Sequence, residues 1–212
     1  MQTTDSAFDG WESVRLRAKT SSFESKEVIY LCESAATRLF RVEEGYVKIS
    51  RYLPDGRCQI LQFCGPGDYF GLEASGTDRV GQAEALCITS VTSVDHGEIS
   101  RAADTDARIA AWHFSLLLAE IRRAQDLILT LGQMNANEKI DYFLTHVVGG
   151  SAGNDIYLPM NMTDIGDFLG LRIETVSRTM TKMKRLGVIR KVRGATHYLY
   201  CRSETELERL VA

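Results

Sequence analysis

Between residues 20 and 100 the chain alternates short apolar runs with turn-forming residues. The runs are Val28-Ile29-Tyr30-Leu31, Leu39-Phe40-Arg41-Val42, Tyr46-Val47-Lys48-Ile49, Gln59-Ile60-Leu61-Gln62-Phe63 and Ala85-Leu86-Cys87-Ile88. They are broken at Glu44-Gly45, Pro54-Asp55-Gly56 and Gly65-Pro66-Gly67-Asp68. Runs of this length, rich in β-branched and aromatic residues and bounded by such signals, predict strands. Pro54-Asp55-Gly56 predicts a hairpin, because proline presets the turn and glycine supplies its positive φ. A spacing of about ten residues between runs predicts a sandwich or jelly roll.

Near residue 106 the period changes. Phe114, Leu117, Ile121, Ala124, Ile128 and Leu131 recur at spacings of 3, 4, 3, 4 and 3. That is an a/d heptad seam on one long helix. A single such helix lacks a partner of its own kind, which favours a parallel homodimer through these six residues over burial within the chain. A second apolar set, Leu116, Leu118, Leu127 and Leu129, lies off the seam and is expected to pack on the β domain.

Beyond Asn135 the pattern is helical apart from short strands. An amphipathic stretch over Asn137–Leu144 is expected to stop at Gly149-Gly150, and Ile156-Tyr157-Leu158 to form a strand closed by Pro159. Thr163 is placed to cap a short helix over Asp164–Leu169 that ends at Gly170. A second helix is expected from Arg172 to Arg185, with Gly187 just past its end. Val188–Val192 and His197–Tyr200 flank Arg193-Gly194-Ala195 as a hairpin. Two helices joined by a tight glycine turn and followed by a basic hairpin have the layout of a winged helix-turn-helix.

Charge sharpens this picture. Residues 1–160 hold 15 Lys and Arg against 22 Asp and Glu, a net of −7, whereas residues 161–212 hold 10 against 6, a net of +4. Within 172–193 eight basic residues face Glu174 alone. Such a patch is either a solvated helix face or a surface that meets a polyanion. With 212 residues, 44% hydrophobic and 25% charged, the composition excludes a wholly disordered chain. The longest apolar runs are too short to span a bilayer. The first twenty residues, with Asp5, Asp9 and Glu12, do not read as a secretory signal. Five cysteines with no CxxC spacing fit reduced thiols, and the expected compartment is the cytoplasm.

The second helix carries the candidate chemistry. Val176, Met180 and Met183 fall at i, i+4 and i+7 and should face the core. Glu174, Thr175, Ser177, Arg178 and Thr181 fall on the opposite side, near the end that would enter a major groove. There a carboxylate can accept from cytosine N4 and an arginine can bind guanine bidentately. The competing reading of Glu174 and Arg178 is a surface i,i+4 ion pair worth a few tenths of a kcal/mol.

The run Asp164-Ile165-Gly166-Asp167-Phe168-Leu169-Gly170-Leu171-Arg172-Ile173-Glu174-Thr175-Val176-Ser177-Arg178 resembles the helix-turn-helix signature of the CRP/FNR transcription factors. Its Glu-x-x-Ser-Arg pattern is similar to the FNR and FixK branches, in which those residues read a TTGA-type half-site. Gly45, Gly56, Gly65, Gly67-Asp68 and Gly71 match the turn glycines of the family's β-roll, and the heptad helix matches its dimerisation helix.

The resemblance implies an α+β fold with three parts: a cyclic-nucleotide-binding-like β-roll (jelly-roll) sensor over 1–107, a dimerisation helix over 108–135, and a winged helix-turn-helix over 136–212. It also implies a homodimeric activator that contacts RNA polymerase, with no catalytic activity. DNA contacts are expected from Thr163, Arg172, Ile173, Glu174, Thr175, Ser177, Arg178 and Lys182, and from Lys191 and Arg193 in the wing.

Departures from the family pattern bear on the signal. Residues 1–31 contain no cysteine, so an N-terminal iron–sulfur cluster has no ligands there. The nearest equivalents of the family's Gly-Glu pair and Arg-Ser-Ala phosphate clamp are Gly71-Leu72-Glu73 and Arg79-Val80-Gly81. The glutamate is displaced by one position and the serine hydroxyl is gone, so no cofactor or cyclic nucleotide is expected. Of His96, His113, His146 and His197, only His113 is a candidate haem ligand, and a packed histidine is the better reading. The cysteines read as small apolar side chains, with Cys201 beside the wing. A cupin enzyme would need paired histidines on neighbouring strands, and the β region has His96 alone. A sensory module acting by ligand or protein contact is the remaining alternative, set against an intact Glu174, Ser177 and Arg178.

Overall fold

The computed structural model describes residues 10–14, 17–34, 37–72, 78–148, 155–191 and 197–200. The chain divides into two compact units, Met1–Val47 with Cys64–Gln125, and Lys48–Phe63 with Asp126–Ala212. Its elements begin with α1 (Gly10–Val14), β1 (Lys19–Phe23), β2 (Val28–Tyr30), β3 (Arg38–Glu44), β4 (Val47–Tyr52), β5 (Cys58–Cys64), β6 (Tyr69–Phe70), β7 (Gln82–Ala85) and β8 (Thr89–Asp95). Then come α2 (His96–Thr105), α3 (Ala107–Gln133), α4 (Ala136–Tyr142), a π-helical turn Phe143–Val147, β9 (Asp155–Tyr157), α5 (Met162–Leu169), α6 (Ile173–Arg185), β10 (Ile189–Lys191) and β11 (His197–Tyr200). Among the described residues no helix is long and apolar enough to cross a membrane.

In the first unit an antiparallel sheet runs in the order β1-β8-β3-β6. Leu39 and Val42 of β3 and Val91 and Val94 of β8 all point inward and are fully or almost fully buried. Trp11, Val14, Leu39, Val94, Ile99, Ile109 and Trp112 form one apolar cluster. Tyr69 meets Trp11 and Trp112 edge-on, with centroids 5.6 and 5.8 Å apart. Two indoles and a phenol in edge-to-face contact bury large apolar areas and fix ring orientation as well.

The expected strand over Ala85–Ile88 is not one element. Its first residue ends β7, its last precedes β8, and the bends between leave Ile88 73% exposed. The second apolar set on α3 is also only partly as expected. Leu116 packs on the Trp11–Trp112 cluster and Leu127 is half-buried, but Leu118 and Leu129 face solvent.

In the second unit β4 and β5 make the expected hairpin around Pro54-Asp55-Gly56, closed by Leu53 N–H donating to the Arg57 carbonyl at 2.8 Å. This hairpin belongs with the helical unit, although its sequence position lies inside the strand-rich region. Ile60, Phe63, Ile140, Phe143, Leu144, Ile165, Phe168, Leu169, Val176, Met180 and Met183 are buried in this unit. Phe63 packs against Phe168 at 5.3 Å and Phe143 at 5.7 Å. The wing is the antiparallel set β10-β11-β9. The helix expected to run through Leu144 instead passes from α4 into the π turn at Phe143.

Candidate nucleic-acid interface

α5 is capped by Asn161, not by Thr163. The Asn161 side chain accepts from Asp164 N–H at 2.9 Å, and Asp164 Oδ2 accepts from Asn161 N–H at 3.1 Å. Such a reciprocal box satisfies two orphan donors at once, which a threonine two residues later cannot do. Thr163 sits in the first turn, exposed.

The turn to α6 depends on two glycines. Gly170 ends α5 in the left-handed conformation at φ +63°. Leu171 N–H returns to the Gly166 carbonyl at 3.0 Å, and a Cβ on Gly166 would sit 2.6 Å from the Leu171 carbonyl oxygen. The turn therefore lies against the back of α5 at a distance only glycine allows. α6 begins one residue later than expected and closes as predicted at Gly187, whose N–H and that of Val188 satisfy the Lys184 and Met183 carbonyls.

α6 is divided sharply into two faces. Val176, Met180 and Met183 are 0–1% exposed, as their spacing predicts. On the opposite side Ile173, Glu174, Ser177 and Arg178 line one open groove. Ile173 is 45% exposed at the first turn. The Arg178 Nε donates to the Glu174 carbonyl oxygen at 3.3 Å. The two side chains make no ion pair among those the structure gives, so the carboxylate and the outer guanidinium nitrogens are left to face the groove.

The other expected contacts scatter around this set. Arg172 is exposed at the N-cap with no capping side-chain bond, while its carbonyl accepts from Thr175 and Val176 N–H. Thr175 and Lys182 are half-buried at the edges of the face. Lys191 is exposed on β10. Arg193 and Cys201 lie outside the described residues.

Two lysines that sequence reasoning passed over hold α5. Lys48 of β4 donates to Asp164 Oδ1 at 3.0 Å, with side chains 16% and 9% exposed. Lys139 of α4, itself buried, donates to the Leu169 carbonyl at 3.2 Å, where a cation complements the helix C-terminus. The only sequence signal for Lys139 was a lone cation on the apolar side of an amphipathic helix.

In the β unit the would-be phosphate partner is spoken for. Arg79 is 3% exposed, its guanidinium lies 4.5 Å from the Tyr30 ring centroid and 5.7 Å from that of Phe40, and it donates to the Arg38 carbonyl at 2.7 Å. Glu73 is outside the described residues. His96 is buried with Nε2 at 3.1 Å from the Gly71 carbonyl, and His113 lies 6.2 Å away, centroid to centroid. Burial holds both imidazoles below the usual histidine range, with the Arg79 and His113 charges adding to the effect on His96. Among the described residues no group of three or more His, Cys, Asp or Glu is placed to hold a metal. Of the described cysteines Cys64 is buried, and burial pushes its thiol well up; Cys32, Cys58 and Cys87 are half-buried.

Known proteins share both units. Residues 20–106 match the cyclic nucleotide-binding domain and residues 123–210 the Crp-like helix-turn-helix domain. The nitrogen fixation regulation protein FixK of Bradyrhizobium diazoefficiens is 34% identical over 182 residues, covering 84% of this chain and 76% of that protein. The transcriptional activatory protein AadR of Rhodopseudomonas palustris is 34% identical over 165 residues, covering 76% and 69%. The solved structure of FixK2 from Bradyrhizobium japonicum superposes with a TM-score of 0.82 at 34% identity, covering 91% of this chain and 96% of that one. A β-sheet unit, a long helix and a helix-turn-helix with these relatives identify the chain as a member of the CRP/FNR family on its FixK-like branch, a DNA-binding transcriptional regulator.

Proposed function

We propose that α6 is the recognition helix and that the groove of Ile173, Glu174, Ser177 and Arg178 reads a TTGA-type half-site. The observation that carries this is the joint exposure of those four side chains on the face opposite the buried Val176, Met180 and Met183. Arg178 reaches guanine O6 and N7, Glu174 accepts from the paired cytosine amino group, and Ile173 offers an apolar contact to a thymine methyl. Arg172, Thr163, Thr175 and Lys182 take the phosphates on either side of the bases that α6 reads. Lys191 on β10 takes a flanking phosphate, as does Arg193, two residues further along the sequence.

The protein acts as a homodimer through α3. Phe114, Ile121 and Ile128 are 60%, 54% and 69% exposed in the single chain, with Ala124 exposed and Leu117 and Leu131 half-buried on the same seam. A row of large apolar side chains facing water is the surface a second copy covers. A two-fold dimer then presents two α6 helices to half-sites about 10–11 base pairs apart. The protein serves as an activator that contacts RNA polymerase, carries out no catalysis, and works in the cytoplasm where its DNA is held. Residues 1–107 form its sensor part, 108–135 its dimerisation helix and 136–212 its DNA-binding part. Binding-site selection with purified, ligand-free protein tests the proposal: a TTGA-type palindrome is expected, and recovery of no preferred sequence refutes it.

A further inference from the structure

The four residues that line the groove all belong to α6, and α5 carries α6 through a turn closed by the Gly166–Leu171 approach. Where α5 sits therefore decides where Ile173, Glu174, Ser177 and Arg178 point. Within the second unit α5 is gripped from outside the helix-turn-helix at several places. Lys48, 116 residues earlier in the chain, pairs with Asp164 in the first turn. Gln59, on the other strand of the same hairpin, donates from Nε2 to the Phe168 carbonyl at 3.3 Å near the other end. Phe63 fills the space against Phe168, and Lys139 takes the Leu169 carbonyl.

The Lys48 contact differs from the others in kind. Asp164 already spends Oδ2 on the capping box, and Lys48 neutralises it through Oδ1, so one carboxylate joins the helix start to the hairpin. Asp167 stands nearby: burial and the Asp164 charge raise its carboxyl, and Lys48 opposes them. Removing the ammonium leaves a mostly buried Asp164 carboxylate without its cation, beside a second acid. Buried charges stripped of their partner are costly, and the site then relaxes by moving the helix toward water.

We propose that Lys48 is a positioning residue for DNA reading: through Asp164 the β4–β5 hairpin sets the orientation of α5, and with it the aim of α6. The proposal rests on α6 being the reading helix. It assigns Lys48 no contact with DNA, since its ammonium is turned into the protein.

The test uses full-length protein and two labelled duplexes of equal length, one cognate and one scrambled. Lys48→Met keeps the aliphatic stem and loses the charge. Cognate affinity should fall by about five- to a hundredfold, the usual span of coupling between linked sites, while scrambled affinity changes little. Lys48→Arg, which can reach the same carboxylate, should restore cognate binding to within about twofold. Asp164→Asn keeps an acceptor for the Asn161 N–H and loses only the charge, so it should reproduce the selective loss. It serves in place of Lys48→Met if that variant does not fold. The double variant should be no worse than the worse single one, because both remove the same interaction. Equal loss on both duplexes overturns the proposal, as does an unchanged ratio of the two affinities or a failure of arginine to rescue. Arg178→Ala, run alongside, separates the two readings. If it loses discrimination while Lys48→Met keeps it, only the positioning role falls; if it too keeps discrimination, the assignment of α6 falls as well.

Discussion

Arg178→Ala is the most direct probe of the groove. The side chain is exposed and makes one long hydrogen bond, 3.3 Å to a carbonyl within its own helix, so truncation should alter folding by no more than about 0.5 kcal/mol. Nearly all of any loss in DNA affinity then reports on interactions made in the complex. A bidentate arginine–guanine pair is worth about 1–3 kcal/mol of discrimination. Two half-sites double this to about 2–6 kcal/mol, or roughly thirtyfold to four decades in Kd. The loss should be confined to the cognate duplex, and selection with the variant should lose its preference at the G·C pair of each half-site. Lys191→Ala provides the contrast: if Lys191 meets only phosphate, cognate and scrambled duplexes weaken alike. The slope of log K against log salt then becomes shallower by about one unit for each phosphate that is no longer neutralised. Fluorescence anisotropy at several salt concentrations reads both effects. If Arg178→Ala weakens cognate and scrambled DNA equally, Arg178 binds phosphate alone and the assignment of the recognition face is wrong.

Ile121→Glu places two like charges face to face in the α3 seam, at a cost of several kcal/mol, so the variant should sediment as a monomer; a dimer at micromolar concentration would remove the seam from the interface. Cyclic AMP should leave operator Kd within about twofold, because Arg79 is committed to Tyr30, Phe40 and the Arg38 carbonyl and a ligand without differential affinity shifts nothing; a tenfold tightening would contradict this. His96 and His113 are held below the ordinary value of 6.5, so on acidification the unfolded chain takes up protons first. Their contribution is intact above about pH 6.5 and is lost as pH falls through the depressed folded values. Thermal melts should therefore drop below pH 6.5, and His96→Gln should lessen the drop; a melt unaffected by that substitution counts against the assignment.

The parts of the fold that could be read along the chain are those set by local rules. Val176, Met180 and Met183 repeat with the helical period and are buried. Gly170 and Gly187 stand where only a positive φ closes a helix, and the Pro54-Asp55-Gly56 turn fixes its hairpin. Reading fails where two local rules compete or a distant residue decides. Thr163 and Asn161 are both good caps, and the choice fell to Asn161 because Asp164 lies three residues on and completes the box. β1, rich in Ser and Thr, carries almost no apolar signal, yet it forms because β8 offers it a full antiparallel register from Lys19–Ser93 to Phe23–Thr89. Ala85–Ile88 has the composition of a strand but spans a bend.

At the candidate site the same division holds, and it has a consequence for how such proteins are tuned. Glu174, Ser177 and Arg178 were legible because one helix puts them on one face, and nothing outside α6 is needed to predict that. Lys48, Gln59 and Phe63 were not, because their partners on α5 lie over a hundred residues away and a Lys in an alternating strand reads as a solvated side chain. The two sets also answer to different constraints. If the groove reads bases as proposed, a change in it alters which base pair is preferred, because it exchanges donors and acceptors at a base edge. On the positioning role proposed for the hairpin, a change in its grip alters how well α6 is aimed while leaving its chemistry intact, and so scales affinity for the cognate site without redirecting it. If both assignments hold, base-pair preference and cognate affinity vary independently in this chain, the first through positions 173–178 and the second through residues 48–63.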